Sequence, residues 1–238
     1  ILGTTDQQVE QIEKEPRPST DEVEYLLRHA ARYFSDPPRT DQIKSVFAGL
    51  RPLVSKTQNN KSTAAISREH SIIRSPTGLL SIIGGKWTTY RSMGEQVIDA
   101  LKELPKSPSV TRELSLAGAD ATKPVSQDSS LNPIASFSEY DLEMEQAVSQ
   151  QPSLADRLHP SYPYLQSHVV MSVRHEMART VEDVLSRRTR LLLLDANAAR
   201  EVAPLIAQLL ANELGRSEAW QEQQLQAFEK IATGYVVR

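Results

Sequence analysis

Gly84-Gly85-Lys86-Trp87-Thr88-Thr89 joins an apolar run to a helix-forming stretch, and its residue types suit a bound anion or cofactor. The two glycines let the backbone turn tightly and approach a ligand closely, because neither carries a Cβ. Thr88 or Thr89 is placed to cap the following helix, whose first N–H groups lack intrahelical partners and carry the positive end of its dipole. The string is neither GxGxxG nor a Walker A loop, and a plain turn reads the same way. Arg51 lies between the apolar runs Val46-Phe47-Ala48-Gly49-Leu50 and Pro52-Leu53-Val54, where a guanidinium needs an anionic partner. An edge-strand arginine in solvent, or one paired with Asp or Glu, fits that pattern as well as one that holds a bound anion. Arg68, in Ile66-Ser67-Arg68-Glu69-His70, reads locally as plain surface. His175-Glu176 does not open a zinc motif, since HExxH would need His where Arg179 stands, and no metal site is supported.

The elements that must position these residues divide near Pro105. Ser19 to Glu22 forms a capping box before EVEYLLRHAARYF, which predicts a helix from Thr20 to Phe34, ended by Pro37-Pro38. Ser45 to Leu53, His70 to Ile73 and Leu79 to Ile83 read as strands, the last two joined by the hairpin turn Ser75-Pro76-Thr77-Gly78. Residues Pro105 to Ser138, rich in Ser, Pro, Ala and Asp, read as a linker. Beyond them everything reads as helical. Val169, Val173, Met177, Val181, Val184 and Leu185 recur at three- and four-residue intervals and predict one long helix from Ser167 to Leu193. Asp195 caps the next, Ala196 to Leu214, which Pro204 should kink or split and Gly215 should stop. A last helix, Ser217 to Thr233, should bury Trp220, Leu225, Phe228 and Ile231 or their neighbours. Arg187, Arg188 and Arg190 give the long helix a basic end, with an Asp183 to Arg187 pair at i,i+4; the run reads as ordinary stabilisation or as a docking surface.

Composition sets the broad class. The chain has 238 residues, 39% hydrophobic and 24% charged, which is ordinary for a globular protein of one or two domains. A net charge of −3, no basic tract and 5% aromatic residues lack the electrostatic footprint of a nucleic-acid binder. There is no cysteine, so disulfides and thiolate metal sites are excluded. No run approaches the roughly 18 to 20 apolar residues that span a bilayer, so any membrane contact is expected to be peripheral.

Five strings, taken in order, carry a resemblance: GTTD at Gly3–Asp6, AGLRPLVS at Ala48–Ser55, ISREH at Ile66–His70, GGKWTTYRSMGE at Gly84–Glu95 and EMARTVEDVLSRRTRL at Glu176–Leu191. In this order and spacing the chain resembles the C-terminal half of the FAD-dependent, quinone-reducing glycerol-3-phosphate dehydrogenases. The resemblance runs from Gly3 to about Glu229 and is almost absent between Pro105 and Phe137. It implies an α+β chain, a partial substrate-binding antiparallel sheet over residues 1–104, then the linker 105–138 and an all-α C-terminal helical domain over 139–238.

What the resemblance implies for chemistry is specific. Arg51 and Arg68 would hold the substrate phosphate, and Gly85, Lys86, Trp87, Thr88 and Thr89 would contact FAD, with Lys86 stabilising the reduced, anionic flavin. Thr4, Thr5 and Asp6 are weaker candidates. The intact protein would oxidise glycerol 3-phosphate to dihydroxyacetone phosphate and pass electrons through FAD to quinone, in the cytoplasm and peripherally on the inner membrane; assembly with further copies stays open. The general base is unassigned, with His70 one candidate. GxGxxG, which holds the FAD pyrophosphate in that family, is absent and the chain starts at Ile1, so it is expected to be a fragment that lacks FAD and is inactive alone. Two other readings stand beside this one: a helical interaction or assembly module without chemistry of its own, and a fragment of a related amino-acid or amine oxidase.

Overall fold

Ser19 and Glu22 close the expected capping box: the Ser19 hydroxyl accepts from the Glu22 N–H at 3.3 Å, and the Glu22 carboxylate accepts from the Ser19 N–H at 2.9 Å. Helix α1, Thr20–Ala30, starts there and gives way to a turn four residues before the expected end at Phe34. The computed structural model describes residues 1–51, 69–101, 107–115 and 140–237, in two groups. One holds residues 1–4, 14–48 and 140–237; the other holds 5–13, 49–51, 69–101 and 107–115.

The second group contains the expected hairpin. Strands β1, Ser71–Arg74, and β2, Leu80–Ile83, pair antiparallel with Ser71 opposite Ile83 and Arg74 opposite Leu80. The turn closes as its residues demand. Gly78 takes φ of 90°, its N–H donates to the Ser75 carbonyl at 3.0 Å, and the Ser75 hydroxyl accepts from the Leu79 N–H at 3.0 Å. Beyond β2 comes α2, Tyr90–Asp99, whose C-terminal carbonyl at Ala100 accepts from the Arg74 guanidinium at 2.6 Å. The antiparallel sheet before an all-helical C-terminal part is therefore as expected.

The first group has its core in the C-terminal helices. These are α3, Asp141–Gln150; α4, Gln166–His175; the short α5, Leu191–Leu194; α6, Ala196–Leu214; and α7, Glu218–Ala232. Val169, Val170 and Met171 of α4, Ile206 and Leu210 of α6 and Phe228 of α7 are fully buried together. Asp195 caps α6 by accepting from the Ala198 N–H at 3.0 Å, and Gly215 stops it at φ 62°. Pro204 does not split it. Arg200, near the start of α6, donates to Glu229, near the end of α7, at 2.9 Å, as antiparallel neighbours require. Of the apolar residues expected in α7, Phe228 is buried, and Trp220, Leu225 and Ile231 pack partly buried against the core.

The single helix expected over Ser167 to Leu193 is broken. Helix α4 ends at His175, and the chain turns at Met177, which sits in the left-handed region at φ 58°. The Ser172 carbonyl accepts from both the Glu176 and Ala178 N–H groups, and the Arg179 guanidinium caps the Val173 carbonyl at 3.0 Å. A second capping box then restarts the chain: the Thr180 N–H donates to the Asp183 carboxylate and the Asp183 N–H to the Thr180 hydroxyl, each at 3.0 Å. It leads into a π-helical turn, Asp183–Arg188. The apolar spacing still serves the core, since Val169, Val173, Val181, Val184 and Leu185 are buried, but Met177 is 77% exposed.

The strand expected over Ser45 to Leu53 is also absent from its described residues, 45–51; Pro52 and Leu53 lie outside them. The backbone here is satisfied differently. The Lys44 carbonyl accepts from the Ala196 N–H at 3.0 Å, the Ser45 hydroxyl donates to the Leu192 carbonyl at 2.7 Å, and the Val46 N–H donates to the Tyr235 carbonyl at 2.8 Å. The segment is laced to helix ends, where unpaired backbone groups are plentiful. Of the expected linker, residues 107–115 form a turn and coil, and the remainder lies outside the described residues.

Two positions in this packing should report on stability. Met177→Gly should raise the urea midpoint, by about 1 kcal/mol of stability, because it relieves a left-handed conformation at a largely exposed side chain; a fall would mean that Met177 contributes more than its conformation costs. The His168 imidazole is buried and accepts from the Leu165 N–H through Nδ1 at 3.0 Å, and burial lowers its pKa to about 4 from 6.5. The unfolded chain therefore takes up a proton before the folded one does. Stability should be full above pH 6.5 and fall by about 3 kcal/mol as pH drops to 4. His168→Gln should flatten that slope in pH-dependent urea melts, and an unchanged slope would refute the assignment.

Candidate functional site

The junction after β2 is built by backbone conformation. Gly84 and Gly85 both lie in the left-handed region, at φ 77° and 93°, where a side chain would be strained. A Cβ on Gly85 would also come within 2.6 Å of the Met93 thioether and 3.2 Å of the His70 Cβ. The turn is thus packed tightly on its inner side against α2 and the residue before β1. His70 itself meets the Gln96 side-chain oxygen at 2.8 Å, which ties that end of the hairpin to the middle of α2.

Lys86 follows in extended conformation with its side chain exposed. Trp87–Thr89 then makes a 3-10 turn into α2. Thr89 occupies the expected capping position, but its hydroxyl donates back to the Lys86 carbonyl at 3.0 Å. No side chain among the described residues caps the first turn of α2. The Thr89 and Tyr90 N–H groups donate to the Lys86 and Trp87 carbonyls, so the donors this turn presents are chiefly the exposed Lys86 ammonium and Thr88 hydroxyl. Trp87 is 86% exposed and stacks on Tyr90 with ring centres 5.6 Å apart. Gly85, Lys86, Trp87, Thr88 and Thr89 therefore lie together at one turn.

Arg51 has the carboxylate partner that its surroundings call for: it meets Asp6 at 3.1 Å, in a pair open to solvent. Of the partners left open by the sequence, this is the one observed, and Asp6 enters as its holder. Arg68 lies outside the described residues, so the pairing of the two arginines is not placed. The basic run is engaged within its own group. Arg187 pairs with Asp183 at 3.0 Å, the expected i,i+4 contact, and with Glu182. Arg188 reaches both the carbonyl and the carboxylate of Glu176, so it closes the break after α4. His175 meets Glu143 at 2.6 Å and stacks on Tyr140.

A polar cluster that sequence reasoning missed lies in the first group. The Asp195 carboxylate accepts from the Tyr162 hydroxyl at 2.9 Å and pairs with Lys44 at 3.3 Å, and Lys44 also donates to the Tyr162 oxygen at 3.2 Å. Burial works against the Asp195 charge, but hydrogen bonds from the Ala198 N–H, Tyr162 and Lys44 outweigh it and hold its pKa below the usual carboxylate value. Asp195 was legible as a cap, whereas its link to Lys44 had no signal in the sequence.

Residues 109–223 match the family described as the C-terminal domain of alpha-glycerophosphate oxidase. A probable mitochondrial glycerol-3-phosphate dehydrogenase of Caenorhabditis elegans is 34% identical over 95% of this chain and 34% of its own length. The mitochondrial glycerol-3-phosphate dehydrogenase of Bos taurus is 32% identical over 97% of this chain and 34% of its own length. The chain thus spans about a third of the length of these curated relatives. In fold it is similar to the glycerol-3-phosphate dehydrogenase from Bacillus halodurans, solved with FAD, at a TM-score of 0.62 and 23% identity over 99% of this chain and 49% of that one. The resemblance to the C-terminal half of these dehydrogenases is borne out.

The geometry of the turn makes opposite predictions for two glycines. Gly85→Ala should destabilise the hairpin by about 1–3 kcal/mol, seen as faster hydrogen exchange in β1 and β2, and trimming Met93 to Ala should not restore it because the strain is in the backbone. Gly94, inside α2 with open space around its Cα, should gain about 0.5–1 kcal/mol on replacement by Ala. Equal effects at the two positions would show that the left-handed turn is not what matters.

Proposed function

We propose that this chain supplies the C-terminal part of an FAD-dependent dehydrogenase that oxidises glycerol 3-phosphate to dihydroxyacetone phosphate and passes the electrons to quinone. The observation that carries the reading is the coincidence of two features: the similarity to named glycerol-3-phosphate dehydrogenases over 95% or more of the chain, and a double-glycine turn that presents an exposed lysine just before a helix. FAD, when bound, supplies the acceptor for the hydride that leaves C2 of the substrate.

Each residue of the chain then has a definite task. Gly84 and Gly85 bring the backbone close to the cofactor, since no side chain projects from the turn. The Lys86 ammonium and the N–H groups of Trp87 and Thr88 offer positive charge and hydrogen bonds where negative charge develops on the reduced cofactor. Arg51, with Arg68, takes the substrate phosphate, and Asp6 keeps the Arg51 guanidinium oriented until an anion replaces or shares it. Docking of the intact enzyme on the inner membrane, where quinone is available, belongs to the same proposal. Among the described residues no helix is long and apolar enough to cross a membrane.

The test is steady-state kinetics on the intact polypeptide. Arg51→Ala should raise KM for glycerol 3-phosphate roughly 30- to 150-fold, the cost of a lost charge-assisted contact of about 2–3 kcal/mol. Thermal stability should hardly move, because an exposed ion pair contributes about 1 kcal/mol or less. A KM within about twofold of the unmodified enzyme would remove Arg51 from the substrate site.

A further inference from the structure

The double-glycine turn is held from three sides by residues of its own group. The entry to β1 makes the first: a Cβ on Gly84 would come within 3.0 Å of the Glu69 carbonyl oxygen, and one on Gly85 within 3.2 Å of the His70 Cβ. Helix α2 makes the second, through the Met93 thioether against Gly85. The third is the exit of the turn, where the Lys86 carbonyl accepts from both the N–H and the hydroxyl of Thr89, each at 3.0 Å. The Lys86 backbone therefore has a fixed seat, while its side chain is exposed.

His70 and Gln96 close this arrangement. The Gln96 carboxamide nitrogen donates to the Ser92 hydroxyl at 3.2 Å, so its oxygen is the atom turned to His70, and the imidazole donates to it from Nε2 at 2.8 Å. Arg74, at the other end of β1, ties the hairpin to the last turn of α2 through the Ala100 carbonyl at 2.6 Å. Without the His70 contact that far tie would remain, and α2 could pivot where the turn enters it.

We infer that His70, Gln96 and Ser92 are positioning residues for Lys86: they hold α2 against the hairpin beside the turn and so set where the Lys86 ammonium stands relative to a bound flavin. None of the three touches the cofactor in this scheme. The interaction of two charges falls with their separation, so a displacement of about 1–2 Å changes how strongly the ammonium favours the reduced cofactor. The inference rests on the reading of this turn as a cofactor contact. It gives His70 a task other than that of general base.

The experiment is a double-mutant cycle on the intact enzyme with its FAD, read in the midpoint potential of the flavin, with Gln96→Leu as one arm and Lys86→Met as the other. Lys86→Met should shift the reduction equilibrium toward oxidised flavin about tenfold, which is about 30 mV for a two-electron couple. Gln96→Leu should shift it about three- to fivefold in the same direction. In the Lys86→Met background the same change should move it less than about 1.5-fold, because groups that act through one another are not additive. His70→Ala should match Gln96→Leu, whereas His70→Gln, which keeps a donor for the Gln96 oxygen, should stay within about 1.5-fold of the original. If Gln96→Leu folds poorly, Ser92→Ala, which releases the Gln96 carboxamide, enters the same cycle with a smaller shift of the same sign expected. A brace that serves stability alone would speed hydrogen exchange in β1 and α2 and leave the potential unmoved. That result, or a shift that recurs in full without Lys86, overturns the inference while leaving Lys86 at the cofactor. A Lys86→Met enzyme with unchanged potential instead overturns the cofactor reading of the turn, and the positioning role falls with it.

Discussion

One carboxylate organises the helical part of the chain. Asp195 begins α6 by accepting from the Ala198 N–H, accepts from the Tyr162 hydroxyl, and pairs with Lys44, which lies some 150 residues earlier. A single cap of this kind contributes about 1 kcal/mol to its helix. Its importance here is geometric. It fixes the start of the longest helix relative to the chain before α4 and relative to the segment at 44–46, and the Ala196 N–H beside it takes the Lys44 carbonyl. The core on α6, with Ile206 and Leu210, can then close against α4 and α7 in one register. Removing the side chain would leave Lys44 and Tyr162 without their shared acceptor and the helix without its cap.

Left-handed residues mark the places where the chain must turn without losing hydrogen bonds, and they are met in two different ways. At Gly84, Gly85 and Gly215 the sequence supplies glycine, so the conformation costs little. At Met177 and Arg190 it does not. Those two positions flank the π-helical turn, and the surroundings compensate: the Arg179 and Arg188 guanidiniums fill the carbonyls exposed at the end of α4, and the Thr189 N–H reaches back to the Val184 carbonyl at 2.9 Å. Of the basic run read as ordinary stabilisation or as a docking surface, Arg188 helps to close this break and Arg187 makes the expected pair with Asp183. Strain of this kind persists only where its surroundings over-determine it.

How much of this was legible depended on the range of the interaction. Local signals read well: Ser19 with Glu22, Ser75 to Gly78, Asp195 as a cap, Gly215 as a stop, and Asp183 with Arg187 all act within four or five residues. The hairpin and its glycine junction were legible for the same reason. The long helix failed because apolar spacing was allowed to override a local signal that was present, the Thr180–Asp183 capping box, which marks a new start in the middle of the periodic run. The strand at 45–53 failed for the opposite reason. Its apolar run suggested a sheet partner, and the groups that satisfy its described residues belong to helix ends about 150 to 190 residues away, which no local pattern can report. The end of α1 at Ala30 is a milder case, as frayed last turns often are.

The candidate site divides along the same line. Gly85, Lys86, Trp87, Thr88 and Thr89 are consecutive, so a turn brings them together wherever it forms, and the sequence sufficed to name them. A substrate clamp built from Arg51 and Arg68 would be a tertiary feature, and its placement depends on what lies between and around the two residues. The one partner observed for Arg51 among the described residues, Asp6, comes from the GTTD string, whose residues were the weaker site candidates. An exposed arginine–carboxylate pair keeps the guanidinium oriented and is weak enough for a second anion to displace or share it. An arginine buried with its carboxylate would be too costly to separate, and one without a partner would lose side-chain entropy on every binding event. The half-exposed pair lies between these limits, where exchange of one anion for another is cheap.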